Sequence, residues 1–356
     1  MDLHNKPLKA CSLNAKNTGG FSTLLGFFKN YFGYTLAIIG LIWVLHNFES
    51  NNLFQHLAIM KWWLVILAII CDILSYVCQG LRWQLLLETT GKLSLLESTQ
   101  AIYAGLFTNE VLPMRLGELV RLYLAAKSTK KKVSEILPSV IIERFLDAVW
   151  LALSIGMLAV FLPLPKDLKM ASNILGIVIV IGIAVFFYII LKKQPNLTNS
   201  ASDNKSKQPK IFSFIKTFLL NTIIKMKLIV KSRSFYLAAI FSLALLSLQI
   251  LAFWLIMEAY GLSVSFFVAT SVFLIIHLGT LVPNAPANIG SYHFFCVMGL
   301  MLFGVDKSQA IGFSIVVFTL LTLPLLLIGM IAISQTGLVL RNIPSELAKW
   351  KIADNN

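Results

Sequence analysis

Residues 174–191 read ILGIVIVIGIAVFFYIIL, a run of 18 residues without one charged side chain. An α-helix needs about 17–25 apolar residues to cross the hydrocarbon core of a bilayer. In water the same helix would be apolar all round and would have to be buried on every side. The run has company: LAIIGLIWVL at 36–45, WWLVILAIICDILSYV at 62–77 and FYLAAIFSLALLSLQILAFWLIM at 235–257. The chain is 57% hydrophobic and only 13% charged, whereas soluble domains carry about 25% charged residues. The expectation is an all-α, polytopic membrane helix bundle of about eight spans with one or two broken or re-entrant elements. The apolar runs place those spans near 32–48, 61–80, 143–163, 171–191, 235–259, 262–282, 291–304 and 308–333.

A net charge of +14 would suit a nucleic-acid binder, but the basic residues cluster between the apolar runs. That placement matches anionic headgroups and the positive-inside rule, and argues against a nucleic-acid partner. Segment 192–233 carries ten Lys and Arg against the single acidic residue Asp203, and 121–132 carries Arg121, Lys127, Lys130, Lys131 and Lys132 with none. With Lys6, Lys9, Lys16 and Lys29 near the N-terminus and Arg341, Lys349 and Lys351 near the C-terminus, these segments fall on one side if both termini are cytoplasmic. The division expected is a cytoplasmic tail at 1–30, a transmembrane domain at 31–335 and a second cytoplasmic tail at 336–356. Within the domain, 192–233 is expected as a polar loop leading into an amphipathic surface helix. Cys11, Cys71, Cys78 and Cys296 show no C-x-x-C spacing and read as small hydrophobes.

Charge inside so apolar a chain needs a reason. Segment 108–127, TNEVLPMRLGELVRLYLAAK, contains Asn109, Glu110, Arg115, Glu118 and Arg121 around Pro113 and Gly117. Proline and glycine disfavour a continuous helix, and broken backbone at membrane depth is tolerated only against protein or a watery cavity. Two readings stay open: a cytoplasmic linker with solvated charges, or a re-entrant element lining a cavity. Glu118 and Arg121 are one turn apart and within reach of each other. Further on, SVIIERFLDAVW places Glu143 and Asp147 at i,i+4 beside Arg144. Two like charges at that spacing repel unless a cation is near, for which Arg144, Arg115 and Arg121 are the candidates. Inside the membrane such ions are functional candidates; if the span begins at Ala148 they are interfacial and structural.

A second irregular stretch, HLGTLVPNAPANIGSYHFF at 277–295, combines Pro283, Pro286 and Gly290 with Asn284, Asn288 and His293. It reads either as a tight connection with satisfied caps or as a discontinuous helix whose free backbone groups bind an ion or a headgroup. His277 and His293 alone do not make a metal site, and no metal or cofactor is expected. The chain contains no Walker lysine loop, H-E-x-x-H or G-x-S-x-G, so catalysis by a familiar soluble-type site has no support in the motifs. A membrane-embedded transferase using scattered Glu, Asp, Arg and His stays open.

Four stretches in order, LRWQLLL (81–87), NEVLPMRLGELVRLYL (109–124), SVIIERFLDAVW (139–150) and PNAPANIGSYHFF through GV (283–305), resemble the lysylphosphatidylglycerol synthase transmembrane family. The likeness covers about residues 30–335. It implies a flippase-like bundle that moves or presents an anionic or isoprenoid-linked lipid. Asn109, Pro113, Arg115, Gly117, Glu118, Arg121, Glu143, Arg144, Asp147, Pro283, Pro286, Gly290 and His293 match positions of that family pattern. Two positions depart from it. Ala287 stands where a glycine is usual, and Phe318 where a histidine often precedes the proline of the last span. No long polar domain follows residue 335, so lysyl-lipid synthesis by this chain is not expected.

Three function classes follow. The first is a flippase, in which Arg115, Arg121 and Arg144 meet a phosphate headgroup, Glu118, Glu143 and Asp147 hold the arginines, and Asn109, Asn284, Asn288 and His293 complete the site. The second is a membrane transferase with a polyprenyl-phosphate donor, Glu118 or Asp147 acting as base. The third is a non-catalytic partner of an enzyme of envelope lipid or glycan synthesis. The expected location is the plasma (inner) membrane.

Overall fold

Ser94 ends an extended residue and begins a helix by a reciprocal exchange with Glu97. The Glu97 amide donates to Ser94 Oγ at 3.2 Å, while the Ser94 amide donates to Glu97 Oε2 at 2.9 Å. Such a capping box satisfies two amides that the first helical turn would leave unpaired. Ser265 and Asp306 start later helices in the same manner, each accepting main-chain amides. The computed structural model describes residues 38–44, 46, 50–112, 116–161, 166–192, 210–281 and 286–337. Among them every regular element is helical, and no strand occurs.

After a helical stretch at 38–44 come α1 (Ser50–Ile59), α2 (Trp62–Leu87), α3 (Leu95–Val111), α4 (Gly117–Thr129), α5 (Val133–Phe161) and α6 (Lys166–Leu191). The second half comprises α7 (Lys210–Lys231), α8 (Arg233–Tyr260), α9 (Phe266–Gly279), a 3₁₀ turn at Pro286–Asn288, α10 (Ser291–Leu302) and α11 (Lys307–Thr336). Three helices, α2, α8 and α11, are long and apolar enough to cross a membrane; the 15 apolar residues Gly176–Ile190 of α6 and α9 are shorter apolar helices. Eight full crossings are therefore not what the described residues present. The runs expected as spans at 262–282 and 291–304 are helices of 14 and 12 residues, or about 21 and 18 Å, against a hydrocarbon core of about 30 Å. The span expected at 143–163 begins at Val133, ten residues earlier, because its N-terminal turns bury Ile136 and Val140 against the core. Most of the first expected span, the tails and the loop at 193–209 lie outside the described residues.

The outer surface is the inverse of a soluble protein's. Along α2, Trp62, Trp63, Ile66, Ile70 and Leu74 are exposed at a spacing of three to four residues, and Leu323, Leu327, Met330 and Ile331 do the same on α11. Residues three and four apart share one face of a helix, so these are apolar stripes facing away from the bundle. Lipid is the solvent that accepts them, and the molecule is an integral membrane protein.

Inside, α2 runs between two packed regions. Its first half (Leu64, Val65, Ala68) packs with α8, α9, α10 and α11, while Trp83 and Leu87 pack with α3, α4 and the start of α5. Where α3 crosses α4, Gly105 and Gly117 bring the two backbones together. A Cβ on Gly117 would collide with the Gly105 carbonyl oxygen, and one on Gly105 would lie 2.6 Å from Arg121 Cγ. Small residues at a crossing let helices pack closely without help from a hydrophobic effect, which lipid does not supply.

Candidate functional site

That close crossing places Arg121 of α4 over the indole of Trp83, with 4.4 Å from guanidinium carbon to ring centroid. The fully buried Trp83 is in turn held by Ser139 of α5, whose hydroxyl accepts the indole N–H at 3.2 Å. From this fixed position Arg121 donates through Nη2 to Glu143 Oε2 at 2.6 Å. Glu143 has no solvent exposure. Its other oxygen accepts from Arg82 Nη2 of α2 at 2.5 Å and from Gln79 Nε2 at 3.2 Å. Arg82 Nη1 donates to Asp147 Oδ1 and, at 3.2 Å, to Ser242 Oγ of α8. Charge-assisted bonds of this number are what a buried carboxylate requires to remain ionised.

The network continues outward. Arg144 donates to Glu118 Oε1 at 2.5 Å and to Asp147 Oδ2 at 3.2 Å, and Glu118 also lies 3.5 Å from Arg121. Arg82 and Arg121 are 1% and 3% exposed, whereas Arg144 is 52% exposed. Three guanidiniums and three carboxylates thus form one neutral assembly with a buried inner end and an open outer end. The repulsion expected between Glu143 and Asp147 is relieved by Arg82, which bridges both, and by Arg144.

Of the residues singled out from the sequence, Glu118, Arg121, Glu143, Arg144 and Asp147 meet here. Asn109 stands at the break instead, its Oδ1 accepting the Gly117 amide at 2.7 Å and so fastening the end of α3 to the start of α4. Arg115 and Asn284 lie outside the described residues, as do Pro113 and Pro283. Arg82, Gln79, Trp83 and Ser242 had no assigned role in the sequence reading. The signal for Arg82 was present, an arginine within the apolar run that ends α2, and an ionisable residue at such a place is a functional candidate by default.

Asn288 and His293 belong to a different place. Asn288 helps line a cavity of about 300 Å³ bordered by α2, α3, α8, α9, α10 and α11, with Asp72, Glu110 and His277 among its walls. His293 is 7% exposed, its ring 4.9 Å from that of Phe318, which also borders the cavity. Ala287 beside it has φ +57° and Asn288 φ +52°, backbone that glycine adopts freely and alanine does not. No group of three His, Cys, Asp or Glu able to hold a metal ion occurs among the described residues.

The two polar places share α2: Arg82 and Asp72 are ten residues apart, or about 15 Å along the helix. The cavity also reaches both helix breaks, through Glu110 at the end of α3 and Asn288 after α9. No curated protein and no solved structure matches the chain. The family described as the lysylphosphatidylglycerol synthase TM region matches residues 30–329, which include the whole ion network and both breaks. The chain therefore belongs to the lysylphosphatidylglycerol synthase transmembrane-region family and is a flippase-like membrane domain.

Proposed function

We propose that the protein is a flippase for an anionic or polyprenyl-linked lipid, and that the headgroup is met at the outer end of the ion network. The observation that carries this reading is Arg144, half exposed and shared between Glu118 and Asp147. A phosphate arriving there can take the guanidinium by the same charge-assisted geometry. Arg82 and Arg121, locked by Glu143, keep their places meanwhile. Arg115 is assigned to the same headgroup, and Asn109 to holding the break beside it.

The proposed topology has six full crossings and two pairs of shorter helices, α3 with α4 and α9 with α10. The second pair replaces two of the eight expected spans. Exchanging two crossings for one re-entry preserves parity, so both termini remain cytoplasmic in this reading. Support comes from the short lengths of α9 and α10, their packing on each other, and the packing of the 3₁₀ turn at Pro286–Asn288 on α3. The ion network then sits in the cytoplasmic half of a plasma (inner) membrane, and α7 lies along that side. The lipid tail travels along the apolar faces outside the bundle.

Leaflet exchange tests the reading. The full chain is reconstituted into vesicles with a panel of fluorescent anionic phospholipids and polyprenyl-phosphate sugars, beside Arg144→Ala, Arg144→Lys and Glu118→Ala. Faster exchange of one lipid is expected, lost at least tenfold in Arg144→Ala (about 1.4 kcal/mol) and partly restored in Arg144→Lys. A chemically altered lipid in place of exchange would give the case to a transferase. No effect on any lipid would point to a non-catalytic partner of an envelope-synthesis enzyme.

A further inference from the structure

Asp72 sits near the middle of α2 and is 5% exposed. No described residue gives its carboxylate a hydrogen bond or an ion pair; the Ser75 hydroxyl bonds to the Asp72 main-chain oxygen instead, at 2.7 Å. Among the described residues, Arg82 on the same helix stands about 15 Å away along its axis, in the neutral network where each guanidinium already has carboxylate partners. The carboxylate borders the cavity of about 300 Å³, which has room for several water molecules.

Among the described residues, the surroundings supply no fixed counter-charge. From α2 itself comes Tyr76; from α3, Glu110 and the neighbouring Tyr103; from α9, His277; from α10, Tyr292, with His293 behind it against Phe318. The faces that α8 and α11 turn to the cavity hold no titratable side chain, offering Gln249 and Thr322 as their polar groups. Neither lysine nor arginine lines the cavity among the described residues. An ionised carboxylate without a partner in an apolar span is strongly disfavoured, so a mobile cation has to neutralise it.

We propose that Asp72 is a proton-exchange site, its carboxylate taking a proton from hydronium in the cavity water to become the acid and returning it to water in the reverse step. The cavity touches both helix breaks through Glu110 and Asn288, so the charge at Asp72 borders the same space as both. The site stands whether or not a lipid is carried at Arg144.

Infrared difference spectroscopy of the full chain in lipid bilayers, stepped in pH in choline chloride, reads this directly. A protonated-carboxyl band that vanishes as pH rises is expected in the parent protein and in Glu110→Gln. It should be lost in Asp72→Asn and displaced in frequency in Asp72→Glu, which retains an acid if the amide variant does not fold. A band that survives Asp72→Asn, or one unshifted in Asp72→Glu, overturns the proposal. A band that falls when sodium replaces choline at constant pH also overturns it, making the site one for a metal cation.

Discussion

Glu143 is the residue on which the ion network depends, because among the described residues it alone forms ion pairs with both buried guanidiniums. Neutralising it leaves Arg82 and Arg121, 1% and 3% exposed, short of a counter-charge in a low-dielectric interior. Removing one partner of a buried pair costs about 3–5 kcal/mol. Glu143→Gln is therefore expected to lower thermal stability in detergent by an amount of that order, with folded yield falling in parallel. Arg144→Ala, at the half-exposed end, should change stability by less than about 1 kcal/mol, so its effect on lipid exchange separates headgroup contact from folding. A Glu143→Gln protein as stable as the parent would mean the inner pairs are not formed in the bilayer. At this scale the sequence was informative about which ions matter and silent about their pairing. Glu118 with Arg121 and Arg144 with Asp147 are one-turn neighbours and legible from spacing. Arg82 with Glu143, 61 residues apart, is a product of helix packing that no local pattern encodes.

Among the elements, the junction of α3 and α4 is the most constrained. Gly117 faces the Gly105 carbonyl and donates its amide to the Asn109 side-chain oxygen. Gly117→Ala forces the two helices apart, and overpacking of this kind costs about 1–3 kcal/mol. It should also displace Arg121 from Trp83, visible as a change in tryptophan fluorescence. Gly182→Ala on α6, where an added Cβ meets nothing within 4 Å, is the control and should stabilise by up to about 1 kcal/mol through helix propensity. Equal thermal shifts for the two substitutions would remove the close crossing as an explanation for the glycine. Pro113 and Gly117 announced the break, since both disfavour helix. Pro138 and Pro324 did not break theirs: both lie inside helices that continue, and proline is tolerated within membrane helices.

For the whole molecule, the proposed topology places Ser128 and Ser263, both exposed at helix ends, on opposite sides of the membrane. In a chain whose four cysteines are replaced by serine, Ser263→Cys should react with an impermeant maleimide added to intact cells. Ser128→Cys should react only after permeabilisation; labelling of both from outside would reject the arrangement. Membrane residence was settled by apolar runs too long to bury in water, and helix by the need of every backbone group in lipid to pair within its own segment. These are local properties, and the sequence alone carries them. Which helices cross fully, how α9 and α10 pair, and how Asp72 comes to face a cavity are decided by packing between segments far apart in the chain. Side chains meet there through the contacts of whole helices, and apolar composition, nearly uniform along such a chain, does not distinguish one neighbour from another.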